Sequence, residues 1–178
     1  EAKMMKATII ECAFGALGFN EENALVGKVL FIKKPQAAAK ALSKIESGKI
    51  TKEIADLVNM LKQMGFDSFV FENAVLAKEA ENTLSIVVEV VKPSKAGETV
   101  RSNIEKLALE TGFVRDKDEF GTWLHNVTME VAKLRVKSAV EKRDLLIAQA
   151  IQTLDDLDRA TNLFMGRIRE WYGIHFPE

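Results

Sequence analysis

KATIIECAFGALGFNEENALVGKVLFIKKP, Lys6 to Pro35, decides the fold class. Its first part, KATIIECAF from Lys6 to Phe14, is a β-branched and mostly apolar run that reads as a strand. LVGKVLFIKK, Leu25 to Lys34, reads as a second strand and stops at Pro35. Between them GALGFNEEN is read as the connection, because GALG is a turn signal, and the two strands are expected to pair as a hairpin. Pro35 sits where a first helical turn tolerates proline, and Ala38, Ala41, Leu42 and Ile45 form an apolar stripe that Gly48 ends.

Further along, the pattern keeps alternating between strand and helix. Thr51 is a suitable N-cap for a helix carrying Ile54, Leu57, Val58, Leu61 and Met64, with Gly65 at the left-handed C-terminal position. FDSFVFEN, Phe66 to Asn73, is a short aromatic strand; a brief helical piece and then TLSIVVEVV, Thr83 to Val91, follow. Val100, Ile104, Leu107 and Ala108 mark another helix that Gly112 stops. The expectation is a mixed α/β (α+β) N-terminal domain, residues 1–117, with about four strands and flanking helices.

Between Asp118 and Tyr172 there is no proline and the glycines are Gly121 and Gly166. Unbroken helix over this stretch would run roughly 75 Å at 1.5 Å per residue, too long for a compact domain of this size, so a projecting helix of coiled-coil type is expected. Phe120, Leu124, Val127, Val131 and Leu134 form one stripe, assigned to a connecting helix over 118–142. A second stripe, Ile147, Ala150, Leu154, Leu157, Thr161, Phe164, Ile168 and Trp171, keeps a 3.5-residue repeat and defines a coiled-coil segment over 143–178. The charged patch EKRD, Glu141 to Asp144, lies at the change of phase.

Composition narrows the function. Of 178 residues, 47% are hydrophobic and 29% charged, which places the chain among soluble globular proteins. With 25 basic and 26 acidic residues the formal charge is −1, so nucleic acid has no overall attraction to it and any RNA contact requires a local patch. The single Cys12 excludes an intrachain disulfide and fits a reducing compartment, and apolar runs such as SIVVEVV are too short to span a bilayer. Two histidines and one cysteine make a conventional zinc site improbable, and there is no Gly-rich phosphate loop followed by Lys and Ser or Thr. LDDLD, Leu154 to Asp158, places three carboxylates on a helix; it reads as the solvated flank of a coiled coil ahead of a magnesium site, because Leu154 and Leu157 take the seam. His175, just before Phe176-Pro177, reads as part of a helix-terminating corner over Gly173 to Pro177. Phe66, Phe69 and Phe71 read as core, yet one alternating strand cannot turn all three rings to one face, which leaves part of the cluster for a partner.

The C-terminal run adds a resemblance. Ala150-Ile151, Leu154-Asp155-Asp156-Leu157-Asp158, Asn162-Leu163 and then Arg169-Glu170-Trp171-Tyr172-Gly173-Ile174-His175-Phe176-Pro177-Glu178 resemble the first coiled-coil helix of the Nop-family scaffold proteins of box C/D ribonucleoprotein particles, especially the archaeal form. FDSFVFEN is the most reminiscent piece of the first 115 residues. The resemblance implies a non-catalytic scaffold for RNA-guided 2′-O-methylation in the archaeal cytoplasm. Its N-terminal domain would bind fibrillarin, the methyltransferase that carries S-adenosylmethionine, so the chain would need no cofactor of its own. Its coiled coil would self-associate through Ile147, Ala150, Leu154, Leu157, Phe164, Ile168 and Trp171. Guide RNA and a kink-turn-binding protein would be gripped by a C-terminal Nop domain beyond Glu178. For fibrillarin the surface expected is that around Phe66, Phe69, Phe71, Glu72 and Asn73 with the preceding helix. Two alternatives stay open: a small α/β nucleotide-binding or enzyme domain with an oligomerisation helix, and a scaffold of the splicing branch of the Nop family.

Overall fold

The computed structural model describes residues 5–176 and contains five strands and five helices. The strands are β1 Lys6–Cys12, β2 Gly15–Asn20, β3 Leu25–Leu30, β4 Ser68–Phe71 and β5 Val87–Val90. The helices are α1 Pro35–Glu46, α2 Lys52–Gln63, α3 Ala74–Leu84, α4 Lys95–Glu110 and α5 Lys117–His175. An α+β domain followed by a long helix is what the sequence pattern called for, with one strand more than counted.

The extra strand is GALGFN. β1 turns through Ala13 and Phe14 straight into antiparallel β2, Cys12 opposite Gly15, and β2 in turn pairs antiparallel with β3. The expected hairpin between KATIIECAF and LVGKVLFIKK therefore does not form, because β2 lies between them. Gly18 and Gly27 face each other across the β2–β3 pair. A Cβ on Gly18 would come 2.8 Å from Leu61 Cδ1, and one on Gly27 2.8 Å from Met60 Cε. These glycines are strand residues that let α2 settle closely on the sheet; they do not turn the chain. The bend comes afterwards, at Asn20 to Ala24, where Asn20 Oδ1 accepts from the Ala24 amide at 2.8 Å and Asn23 takes a left-handed φ of 63°.

The chain then crosses through α1 and α2 to β4, which runs parallel to β1, and through α3 to β5, parallel to β4. The spatial order is β3-β2-β1-β4-β5. Helix α2 packs on β2 and β3, α3 on β4 and β5, and α4 on β1. Phe14, Phe19, Phe69, Phe71, Ile9, Leu17, Leu57 and Leu61 are wholly enclosed.

Element ends follow local chemistry. Pro35 opens α1 and Gly65 follows α2 with a φ of 94°. Thr51 holds the N-cap position of α2, but its hydroxyl makes no cap bond. Asn73 does cap α3, its Oδ1 accepting from the amides of Val75 at 3.0 Å and Leu76 at 3.3 Å. Thr83 and Leu84, read as strand, finish α3, and Ser85 ends it in a left-handed conformation. Helix α4 begins at Lys95, ahead of the stripe that announced it, and Gly112 follows it at a φ of 74°.

The chain divides into two compact units, Glu1–Leu134 and Arg135–Glu178. In the first, the opening turns of α5 are fastened by rings. Phe14 stacks on Phe113 at 5.5 Å, Phe113 meets Trp123 edge-on at 4.9 Å, and Trp123 Nε1 donates to the Ala13 carbonyl at 3.0 Å. Phe120, Trp123 and Val127 are buried whereas Leu124 is 39% exposed, so Trp123 takes the inward position that the stripe assigned to Leu124. In that orientation the indole N–H reaches the Ala13 carbonyl. The second unit is helical through Gly173 to His175; Pro177 and Glu178, part of the expected corner, lie outside the described residues. Among the described residues no helix is long and apolar enough to cross a membrane.

Candidate partner-docking surfaces

Of the stretch from Phe66 to Asn73, Ser68–Phe71 forms β4, a central strand with both faces covered. Phe66 is 6% exposed, and Phe69 and Phe71 not at all. Phe69 and Phe71 share one face of β4; on the other, Ser68 and Val70 are also buried. Alternation does split the side chains between two faces, but layers of structure close over each. Within this stretch Asp67 is exposed and Glu72 and Asn73 are half-buried, with the exposed Met64, just after α2, beside Asp67 in sequence.

Glu72 is already occupied. Its Oε1 accepts from the Ser94 amide and the Ser94 hydroxyl, both at 2.8 Å, and its Oε2 accepts from Arg101 Nη1 at 2.7 Å. Ser94 Oγ in turn accepts from the Gly97 amide at 3.0 Å, so Ser94 caps α4 while the carboxylate beneath it holds the cap. A Cβ on Gly97 would occupy the space of Glu72 Oε1, which is why this turn of α4 carries glycine. The Arg101 guanidinium holds the Glu72 carboxyl down at about 2, assisted by the two bonds from Ser94. Ser94 and Arg101 were not singled out by the sequence reading. The signal was the serine three residues before Gly97, straight after Pro93.

Two titratable groups at the end of β1, Glu11 and Cys12, are shifted by burial. Burial pushes the Glu11 carboxyl up from its ordinary value, Glu72 adds to the effect, and Glu11 Oε1 has no hydrogen-bond partner among the described residues. The Cys12 thiol is pushed up to about 12 by burial and donates to the Gly15 carbonyl at 3.2 Å. It is held protonated and is no nucleophile.

The second unit offers a different kind of surface. Ile147, Leu154, Leu157, Phe164, Ile168 and Trp171 are between 51% and 64% exposed. Ala150 and Thr161 stand exposed in the same heptad register. Beside this seam, Ile151, Met165 and Tyr172 at the following register position are exposed too. The apolar face is broader than the strict two-in-seven seam of a two-stranded coil, a breadth the heptad count did not bring out. Asp155, Asp156 and Asp158 flank it in solvent, with Arg159 at 4.0 Å from Asp156. At the end of the helix Trp171 and His175 stack one turn apart at 4.5 Å, and His175 Nδ1 lies 3.0 Å from the Trp171 carbonyl.

These features define a class: an α+β domain with a five-stranded mixed sheet, continued into a long helix whose apolar face is uncovered. The chain belongs to the archaeal Nop5/56-related N-terminal domain family, whose description matches residues 6–137. It is 33% identical over 103 residues to a NOP5 family protein of Methanocaldococcus jannaschii, covering 58% of this chain and 25% of that one. It is 32% identical over 154 residues to Nucleolar protein 58 of Yarrowia lipolytica, covering 85% and 30% respectively. The Aspergillus niger Nucleolar protein 58 gives 30% over 155 residues, covering 85% and 26%. The chain thus spans between a quarter and a third of the length of these relatives.

Proposed function

We propose that this chain is the front portion of a scaffold of the box C/D RNA-guided 2′-O-methylation machinery and that it has no catalytic role of its own. The α/β domain docks fibrillarin, which brings S-adenosylmethionine, and the helix from Ile147 to Trp171 pairs with another helix of the assembly. Guide RNA and the kink-turn-binding protein are assigned to a Nop domain outside these 178 residues. The observation that carries this reading is family membership over residues 6–137, which takes in all five strands. The uncovered seam supports the self-association arm, since apolar area of that extent gains free energy on being covered. The proposed fibrillarin surface is the exposed part of Phe66 to Asn73, with Asp67 and Met64 at one end of β4 and Glu72 and Asn73 at the other, and with Phe66, Phe69 and Phe71 buried beneath. Glu72 would act there through α4, its carboxylate being committed to Ser94 and Arg101.

Calorimetric titration of the purified chain with fibrillarin tests the adaptor role; no heat and no co-elution on gel filtration would sink it. Leu154→Asp is expected to weaken self-association by about tenfold or more, because a carboxylate replaces a side chain whose burial contributes ~2 kcal/mol. Sedimentation velocity reads that loss, and fibrillarin binding should stay within twofold. Equal loss of both would mean that the seam also serves the enzyme.

A further inference from the structure

Charge is distributed unevenly on the first unit. KKPQAAAKALSKIESGKITK, residues 33–52, holds Lys33, Lys34, Lys40, Lys44, Lys49 and Lys52 against the single acidic Glu46, in a chain whose formal charge is −1. All six lysines are exposed. Helix α1 arranges them: Lys40 and Lys44 are one turn apart on the same face, as residues four apart on a helix are. The turn after α1 continues the row, because the Lys49 amide donates to the Lys44 carbonyl at 2.9 Å. Lys33 is set apart by its ion pair with Glu119 at 2.8 Å.

We infer that the lysine row of α1, Lys40, Lys44 and Lys49, is a contact surface for the phosphate backbone of RNA. This goes beyond the scaffold reading, which assigns RNA to a different domain, and it does not depend on fibrillarin docking. The side chains between the lysines settle the kind of polyanion. Gln36, Ala37, Ser43 and Ser47 are small or polar, and Leu42 packs against the core. Between Lys34 and Lys49 there is no aromatic ring for a base to stack on and no exposed large apolar side chain; the exposed Ile32 and Val75 flank the row, Val75 against Gly48. Short side chains between long cations allow a charged strand to come close to the helix. Such contacts position a nucleic acid without reading its sequence, so the surface takes RNA by its backbone charge. A helix C-terminus also favours lysine for its own dipole, and Lys44 lies in the last turn of α1. That role alone would affect stability and leave binding untouched.

Fluorescence anisotropy with a labelled 20-base-pair RNA duplex, titrated with the full chain from 50 to 200 mM salt, tests the inference. Substituting Lys40→Gln, Lys44→Gln and Lys49→Gln together is expected to lower affinity at least tenfold at 50 mM salt. It should also flatten the slope of log affinity against log salt by about 2 to 3, since each lost phosphate contact removes roughly 0.7 to 0.9. A control with the exposed Lys92, Lys106 and Lys137 all changed to Gln, at the same net charge, should leave the slope unchanged. Circular dichroism melts establish that both variants fold. Absence of binding by the unaltered chain at 50 mM salt would overturn the inference. So would equal losses in the two triple variants, or polyglutamate competing as well as RNA, which would indicate an acidic protein surface.

Discussion

Phe69→Ala is expected to lower the unfolding free energy by about 3–5 kcal/mol, the range for an enclosed phenylalanine that leaves a cavity behind. Phe69 has no exposed surface and sits in β4, between β1 and β5, where the facing layers cannot collapse into the space. Most domains are stable by 5–15 kcal/mol, so a loss of this size leaves the first unit marginal. Urea titration followed by circular dichroism reads it. The result bears on fibrillarin as well. A Phe69 variant that loses the enzyme has lost the domain, and Asn73 caps α3, so substitution at an exposed side chain such as Met64 or Asp67 is what separates docking from folding. A deficit under 1 kcal/mol would mean that the ring is not packed as described.

Glu72→Gln is expected to cost about 2–3 kcal/mol at neutral pH. A charge-assisted bond to Arg101 and two bonds from Ser94 give the carboxylate its advantage, discounted because the Arg101 side chain is 55% exposed. The sign with pH follows from the depressed value. A carboxyl held at about 2 against an ordinary 4.5 contributes its full stabilisation above about pH 4.5 and loses it as pH falls towards 2. The gap between wild type and Glu72→Gln should therefore be constant from pH 7 to 5 and close below pH 4. A gap independent of pH would show that the carboxylate charge has no part in holding α4. Glu11 acts in the opposite sense: with its value raised by burial, its ionisation opposes folding above the ordinary carboxyl range and acidification relieves that cost.

What could be read from sequence was whatever a local period encodes. The seam from Ile147 to Trp171 and the stripe of α2 are legible because a helix places every third or fourth residue on one face whatever surrounds it. Glycine was the weak point. Gly18 looks like a turn residue until Leu61 is seen resting where its Cβ atom would be, a relation between segments some 40 residues apart. Trp123 was overlooked for a similar reason, since its acceptor, the Ala13 carbonyl, lies at the other end of the domain sequence. At the candidate docking stretch Phe69 and Phe71 belong to a strand, as read, whereas Phe66 lies just before it. Closure of both its faces depends on helices contributed by distant segments, as does the commitment of Glu72 to Ser94 and Arg101.

The chain has two tryptophans, and one falls in each unit. Trp123 is 7% exposed with its indole bonded; Trp171 is 59% exposed on the seam. Their emission is accordingly separable without any label. Trp123 should emit towards the blue and resist acrylamide until the α+β domain melts. Trp171 should be quenched freely and shift only when another helix covers it. A Trp171→Phe variant leaves a clean optical signal for domain unfolding, and a Trp123→Phe variant a clean one for helix pairing, so two events in one chain can be followed by the colour of its own light.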